Sequence, residues 1–501
     1  MRHILATVIY YILSAALLSG PLHAEDLGEG LINQSPSMLL ENHQGKYNHW
    51  NGIGQLFKDN QPICTASLID TRDEENNALG PAYVLTAGHC VSLYLPRPGA
   101  VHPFEANVKF NFFNDTQHDY KSYTIQTANW ASLMGTDIAI LELTSSLSTL
   151  LEDGITPLEL TRDAFTAPVD ILIVGAPASL PESGLRVAAC LQEPTAATLV
   201  ENWWTYPDTL KNTCKDIRGG SSGSPVLDRK TGSIVGVLFT STYGSTPDQL
   251  CFENTPCEVK NGKPEWVPET HYSHAIDYLP DCFVKGVFNS GLSSCTLEPG
   301  FKLSIGDYLP LRYTTVPSDD SQGAPTWGLS FSTDTPSYRF KSVRDARECS
   351  SAHYYSQVIS STEALIDTPT GREAGLYFLC VLGVESAEQT PTAGLLRNAW
   401  ISPAQLVEAE PVRLPEPTIT LGADWNYRVT WHFSYPLYAE SYYYAGPADK
   451  TNCSDVKIEE YILVTQPVTF TAEQLPLTLC SYGTDYDSRP SAIRTDLLVL
   501  P

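Results

Sequence analysis

Apolar residues along this chain gather in short runs, separated by clusters of Gly, Pro, Asn, Asp and Ser. The clearest runs are "AYVLTAGHC" ending at Cys90, "DIAILEL" from Asp137, "VDILIVGAP" from Val169, "SIVGVLF" from Ser233, "GLYFLCVLGV" from Gly375 and "YRVTWHF" from Tyr427. They are rich in Val, Ile, Leu, Tyr and Phe and are bounded by turn residues, which is the pattern of β-strands. No long stretch keeps the 3.6-residue period of a surface helix. The expectation is an all-β chain, with one short helix around "HAIDYLPDCF" (274–283). The N-terminus stands apart. A short basic start, an apolar run from Ile4 to Leu18 and a small residue at Ala24 have the layout of a secretory signal peptide over 1–24. Residues 25–46 follow with four acids (Glu25, Asp26, Glu29, Glu41) and little strand character, and read as a flexible arm or short propeptide.

The length of 501 residues suggests about three domains at roughly 100–200 residues each. The last 200 residues carry a faint repeat. "YRFKSVRDARECSS" and "YYYAGPADKTNCSD" place Tyr338 and Tyr442, Asp345 and Asp449, Cys349 and Cys453, and Ser350 and Ser454 at matching offsets. Each copy later has a second Cys in an apolar strand, Cys380 and Cys480. Two tandem Ig-like β-sandwich modules are expected, 297–408 and 409–501, each closed by one disulfide (Cys349–Cys380, Cys453–Cys480), with "VEAEPVRLPEP" as the joint. The alternative is one larger β domain.

Composition changes the picture in two ways. A formal charge of −26 repels phosphate backbones, so nucleic acid is not an expected partner. Twelve cysteines behind a signal peptide point to disulfides in an oxidising compartment, secreted or periplasmic. No CxxC pair favours zinc. No later segment is apolar and long enough to span a membrane.

Three segments carry candidate chemistry. "AYVLTAGHC" runs a strand into a small-residue turn that presents His89, though a lone His is usually structural. Asp137 heads an apolar strand, where a carboxylate is costly to bury unless paired. "RGGSSGSP" (218–225) holds Ser221, Ser222 and Ser224 among glycines that let the backbone turn sharply. A serine hydroxyl needs an adjacent base, itself oriented by a third group, and His, Asp and Ser supply those roles. Which serine acts is open on the residues alone. "HYSH" (His271, His274) lacks further ligands at metal spacing and reads as a surface or packed pair.

Together "LTAGHC", "DIAILEL", "GSSGSP" and "ICTASLI" at Cys64 resemble the chymotrypsin-like (trypsin) serine peptidases over roughly residues 46 to 280. The resemblance implies a double six-stranded β-barrel over 47–296, with His89 as general base, Asp137 orienting it and Ser222 as nucleophile. It implies an oxyanion hole from the N–H groups of Gly220 and Ser222, protein or peptide substrates, and neither cofactor nor metal. It also pairs Cys64 with Cys90. Ser221 replaces the family's usual Asp, as in bacterial lysyl and glutamyl endopeptidases, so trimming of 25–46 is not expected to be needed to shape the oxyanion hole. Ser224 would support the turn. Asp216, six places before Ser222, matches the acid that binds Lys or Arg in the trypsin subgroup, with Asp248 and Glu253 as alternatives. Arg218 stands where the family has Cys, and Cys190–Cys214 is the expected local pair. Proximity alone suggests Cys251–Cys257 and Cys282–Cys295. The rival expectation is a silent peptidase-fold scaffold whose C-terminal modules bind a surface or matrix ligand.

Overall fold

The computed structural model describes residues 26–501 apart from 96, 165–166, 181–183, 306–311, 316–322, 363, 408–414, 432–439 and 486–487. The expected signal peptide lies outside the described residues, as does most of the expected joint at 407–417. The chain is all-β, and among the described residues no helix is long and apolar enough to cross a membrane. The helix expected near residue 280 is a single short turn, Leu279–Cys282.

Six antiparallel strands close the first barrel, in the order Ile53–Lys58, Gln61–Leu68, Pro81–Thr86, Ile138–Ser146, Lys121–Ser132, His102–Phe110. The strand His102–Phe110 alternates strictly: Phe104, Ala106, Val108 and Phe110 are buried while Glu105 and Asn107 face water, as the period of two requires. Pro81–Thr86 and Ile138–Ser146 read instead as continuous apolar runs, because both of their faces are covered. Ala82, Val84, Ala139 and Leu141 join the barrel's own core. Tyr83, Leu85, Ile138 and Ile140 point the other way, into a second core shared with Leu172, Val174, Val187 and Val237 of the second barrel. His89 and Asp137 sit at the ends of these two doubly buried strands, so the inter-barrel core fixes where they lie.

The second barrel is also a ring of six. Val169–Gly175, Arg186–Pro194, Leu210–Asn212, His271–Ala275, Ile234–Ser241 and Pro225–Asp228 pair in turn, and the pairing of the first two strands closes the ring with the last. A four-stranded sheet inserted in this half is built from Thr198–Glu201, Trp204–Tyr206, Cys257–Lys260 and Lys263–Glu265.

Residues 26–46 are not a loose arm. Met38–Leu39 forms a strand on Arg186–Val187 of the second barrel. Leu40 is 0 % exposed, and Asp26 makes a two-pronged pair with Arg229 at 2.7 and 2.9 Å. The sequence misled because its apolar groups are as short as "LI" and "MLL", and the partner strand of "MLL" lies about 150 residues away in sequence and is visible only once the chain has folded.

The C-terminal residues form two further pairs of sheets. In the first, a three-stranded and a five-stranded sheet share one core that includes Phe331, Ile366, Tyr338, Leu382 and Leu406. In the second, a three-stranded and a four-stranded sheet meet over Val429, Phe470, Leu479 and Leu498. The repeat is visible in the pairing: Tyr338 lies opposite Gly383 and Tyr442 opposite Tyr482, on the strands that hold Cys380 and Cys480. The twelve cysteines form the six disulfides Cys64–Cys90, Cys190–Cys214, Cys251–Cys257, Cys282–Cys295, Cys349–Cys380 and Cys453–Cys480.

The first pair of sheets is continuous with the inserted sheet. Val200, Cys251, Cys257 and Val259 belong to its core. The Thr198 hydroxyl donates to Asp345 at 3.1 Å and accepts from the Ala346 N–H at 3.1 Å, and the Leu376 N–H donates to the Gly262 carbonyl at 2.7 Å.

Candidate active site

A cleft of about 230 Å³ lies between the barrels, and His89, Asp137, Ser222, Glu201, Arg218 and Glu253 are among its lining residues. His89 follows the strand Pro81–Thr86 on a tight turn, Gly88–Cys90. The turn needs glycine at 88, since a Cβ there would meet the Ser132 carbonyl at 2.1 Å. Asp137 is buried and holds the histidine twice. Its Oδ1 accepts the His89 backbone N–H at 2.9 Å and its Oδ2 faces Nδ1 at 2.8 Å. With Nδ1 donating to the carboxylate, Nε2 is left to act as an acceptor.

Burial alone would push the His89 imidazole below its ordinary pKa of 6.5. The Asp137 carboxylate, with Glu201 and Glu253 beyond it, outweighs burial and raises it.

The three serines are separated by their surroundings. Ser224 is fully buried. Ser221 is buried, and its Oγ accepts the Arg218 N–H at 3.4 Å within the turn. Ser222 is partly exposed to the cleft, and its hydroxyl donates to the Phe239 carbonyl at 3.2 Å. To bond to His89 Nε2, Oγ must leave Phe239; apo sites commonly show such loose contacts.

Two glycines shape this turn, both with left-handed backbone: Gly220 at φ +84° and Gly223 at φ +83°. A Cβ on Gly220 would meet Ala178 at 2.2 Å, and one on Gly223 the Thr65 carbonyl at 2.1 Å. The N–H groups of Ser221, Gly223 and Ser224 donate to Arg218, Leu238 and Ser221 carbonyls. Those of Gly220 and Ser222 make no such bond among the described residues, the state in which an oxyanion would find them.

Asp216 is not on the cleft. Its carboxylate accepts the Ser37 N–H at 2.9 Å and lies 3.7 Å from the Arg218 guanidinium, behind the serine turn. It sits at φ +60°, and this backbone turn carries the side chain to the N-terminal segment, so spacing from Ser222 alone misplaced it. Of the two alternatives, Asp248 is on an exposed turn away from the cleft lining and Glu253 is on it.

Sequence reasoning missed Glu201. It lies at the end of the inserted strand Thr198–Glu201 and is 6 % exposed. The Asn254 N–H donates to it at 2.7 Å, and the Thr240 hydroxyl also bonds to it. Burial pushes its carboxyl up to about 7, despite those bonds and the nearby His89. The available signal was a lone acid closing the apolar run "ATLVE".

His271 and His274 are buried inside the second barrel rather than on the surface. His271 Nε2 lies 2.9 Å from the Cys214 carbonyl, and the His274 ring stacks on Phe239 at 4.2 Å. Among the described residues, one His/Cys/carboxylate grouping is close enough for a metal, Cys64, His89 and Cys90. The two sulfurs bond each other, so that grouping offers no thiolate.

A family model described as a trypsin-like peptidase domain matches residues 64–237. That segment, with the double barrel built around it, is a trypsin-like peptidase domain. No curated protein matches the chain. Among solved structures, the protease Anisep from Arthrobacter nicotinovorans aligns at 17% identity and TM-score 0.31, over 46% of this chain and 91% of its own. The thermostable serine protease AL20 aligns at 16% and 0.30, over 46% and 92%. The Rv3671c protease in its inactive form aligns at 14% and 0.30, over 49% and 93%.

Proposed function

We propose that the protein is a serine endopeptidase of an oxidising compartment, acting through His89, Asp137 and Ser222. The observation that carries this reading is His89 held at two points by Asp137 in the cleft that also exposes Ser222. His89 takes the Ser222 proton as the hydroxyl attacks the peptide carbonyl, then gives it to the leaving amine. Asp137 keeps Nδ1 protonated and stabilises the imidazolium. The N–H groups of Gly220 and Ser222 receive the oxyanion, a contribution of about 3–4 kcal/mol for a typical donor. Water then releases the acyl group. Six disulfides support secretion or a periplasmic home.

The preference for basic substrates, expected from Asp216, is better supported by Glu201 and Glu253. Their carboxylates join Asp137 around the cleft, while the single guanidinium there, Arg218, has Asp216 at 3.7 Å to offset it. A cationic substrate side chain satisfies such carboxylates.

Replacing Ser222 by Ala should lower peptide turnover on the order of a millionfold and abolish labelling by a fluorophosphonate, whereas Ser221→Ala should keep both. Labelling of Ser222→Ala, or its loss in Ser221→Ala, would remove Ser222 from the role.

A further inference from the structure

A second groove opens beside the catalytic cleft. It has a volume of about 80 Å³, and its walls include Leu93, Leu133, Trp203, Trp204, Ile305 and Trp400. That volume is a few water molecules' worth, the scale of one aliphatic or aromatic side chain. Three of these residues, Leu93, Leu133 and Trp204, also line the catalytic cleft, so the two spaces adjoin. Leu93 follows His89 by four residues and Leu133 precedes Asp137 by four, which sets the groove beside the histidine.

The opposite wall comes from the C-terminal sheets. Ile305 ends the strand Leu303–Ile305 and Trp400 begins the strand Trp400–Val407. Both pack on the core that holds Leu303 and Ile401, whereas Trp203 packs on the core of the first barrel. Each wall is thus rooted in its own core. Two of the groove's lining residues are left uncovered, Leu93 at 52% and Tyr94 at 69% exposure.

We propose that the C-terminal sheets complete the substrate site. Ile305 and Trp400 form, with Leu93, Leu133, Trp203 and Trp204, an apolar subsite for one aliphatic or aromatic side chain of the peptide held at Ser222. The proposal rests on the peptidase reading for its occupant. A peptide chain in the cleft runs past Leu93 and Trp204 and brings a side chain to the groove at a fixed distance from the scissile bond. The sheets therefore act in recognition at the catalytic site itself.

The test is a peptide library varied at every position around the cleavage site and read by mass spectrometry for the full chain. One position should select Leu, Phe or Trp over Gly. Trp400→Ala should reduce that selection about tenfold, the scale of burying one medium apolar group. Ile305→Ser carries the same test if Trp400→Ala does not fold, as read by its melting curve. Where peptides are cleaved, lack of apolar selection at every position, or its persistence in a folded variant, overturns the proposal. Binding of the preferred peptide and its Gly analogue to Ser222→Ala, read by tryptophan fluorescence, separates the two readings. Tighter binding of the apolar peptide without any cleavage by the natural chain would keep the subsite and reject the peptidase; equal binding would reject the subsite.

Discussion

Two titratable side chains of the cleft, His89 and Glu201, are shifted from their ordinary pKa values, the first by neighbouring carboxylates and the second by burial. His89 is held above its ordinary pKa because the carboxylates of Asp137, Glu201 and Glu253 outweigh its burial. A base must be neutral to accept the serine proton, so kcat/KM should rise with pH through a midpoint above 6.5. Glu201, pushed up to about 7, titrates in the same range, so the wild-type profile reports the interacting pair rather than one residue. Glu201→Gln removes one of the charges that raise His89, and its midpoint should move down. A midpoint that stays put in a pH–rate profile would show that Glu201 does not act on the histidine. The family motif, once the resemblance was drawn, singled out Ser222 as the proposed nucleophile. The residues alone left the three serines equivalent, and in the structure their burial separates them.

At the scale of elements, the N-terminal segment changes most between sequence and structure. Its composition suggests a flexible arm or short propeptide, yet its Ser37 N–H holds Asp216 and its strand pairs with Arg186–Val187. Arg186 in turn donates to the Ser37 hydroxyl at 2.9 Å. Asp216 precedes the serine turn by only a few residues, so this segment braces the turn from behind. A chain that begins at Tyr47 should melt at a lower temperature, since burial of Leu40 alone is worth about 2–3 kcal/mol. It should also react more slowly with a fluorophosphonate. Equal melting and equal labelling of the two forms would restore the segment to a dispensable arm. Glu201 illustrates the same difficulty from the other side. The loop closed by Cys251–Cys257 supplies the Asn254 N–H that caps it, and nothing local to residue 201 announces a contact with residue 254.

For the whole molecule, the second barrel contains an acid-labile feature. Burial holds both His271 and His274 down to about 4. Their folded pKa lies below the unfolded value near 6.5, so the fold favours the neutral form. The stability this preserves is complete above about pH 6.5 and is lost as pH falls toward 4. By linkage the loss is on the order of 3 kcal/mol per histidine. Denaturant melts between pH 7 and 4 should show it, and His271→Gln should flatten the slope. An unchanged slope would place the acid sensitivity elsewhere.

The sequence by itself determined the all-β class, the disulfide partners and the motif positions of His89, Asp137 and Ser222. These rest on short-range patterns: runs of apolar residues, cysteines close in sequence or at repeated offsets, and, for Cys64–Cys90 and the three motif positions, the resemblance of short segments to a known family. The tertiary structure decided which carboxylates face the cleft. Asp216 left it through a left-handed backbone turn, and Glu201 entered it from an inserted strand. It also decided that the strand Met38–Leu39 adds to the second barrel and that the C-terminal sheets share a core with the inserted sheet. Those outcomes depend on contacts between segments as much as about 200 residues apart, such as Asp26 with Arg229 and Ser37 with Asp216. A one-dimensional pattern carries no record of such pairings, because the apolar and charged groups involved gain their energy only when the distant partner arrives.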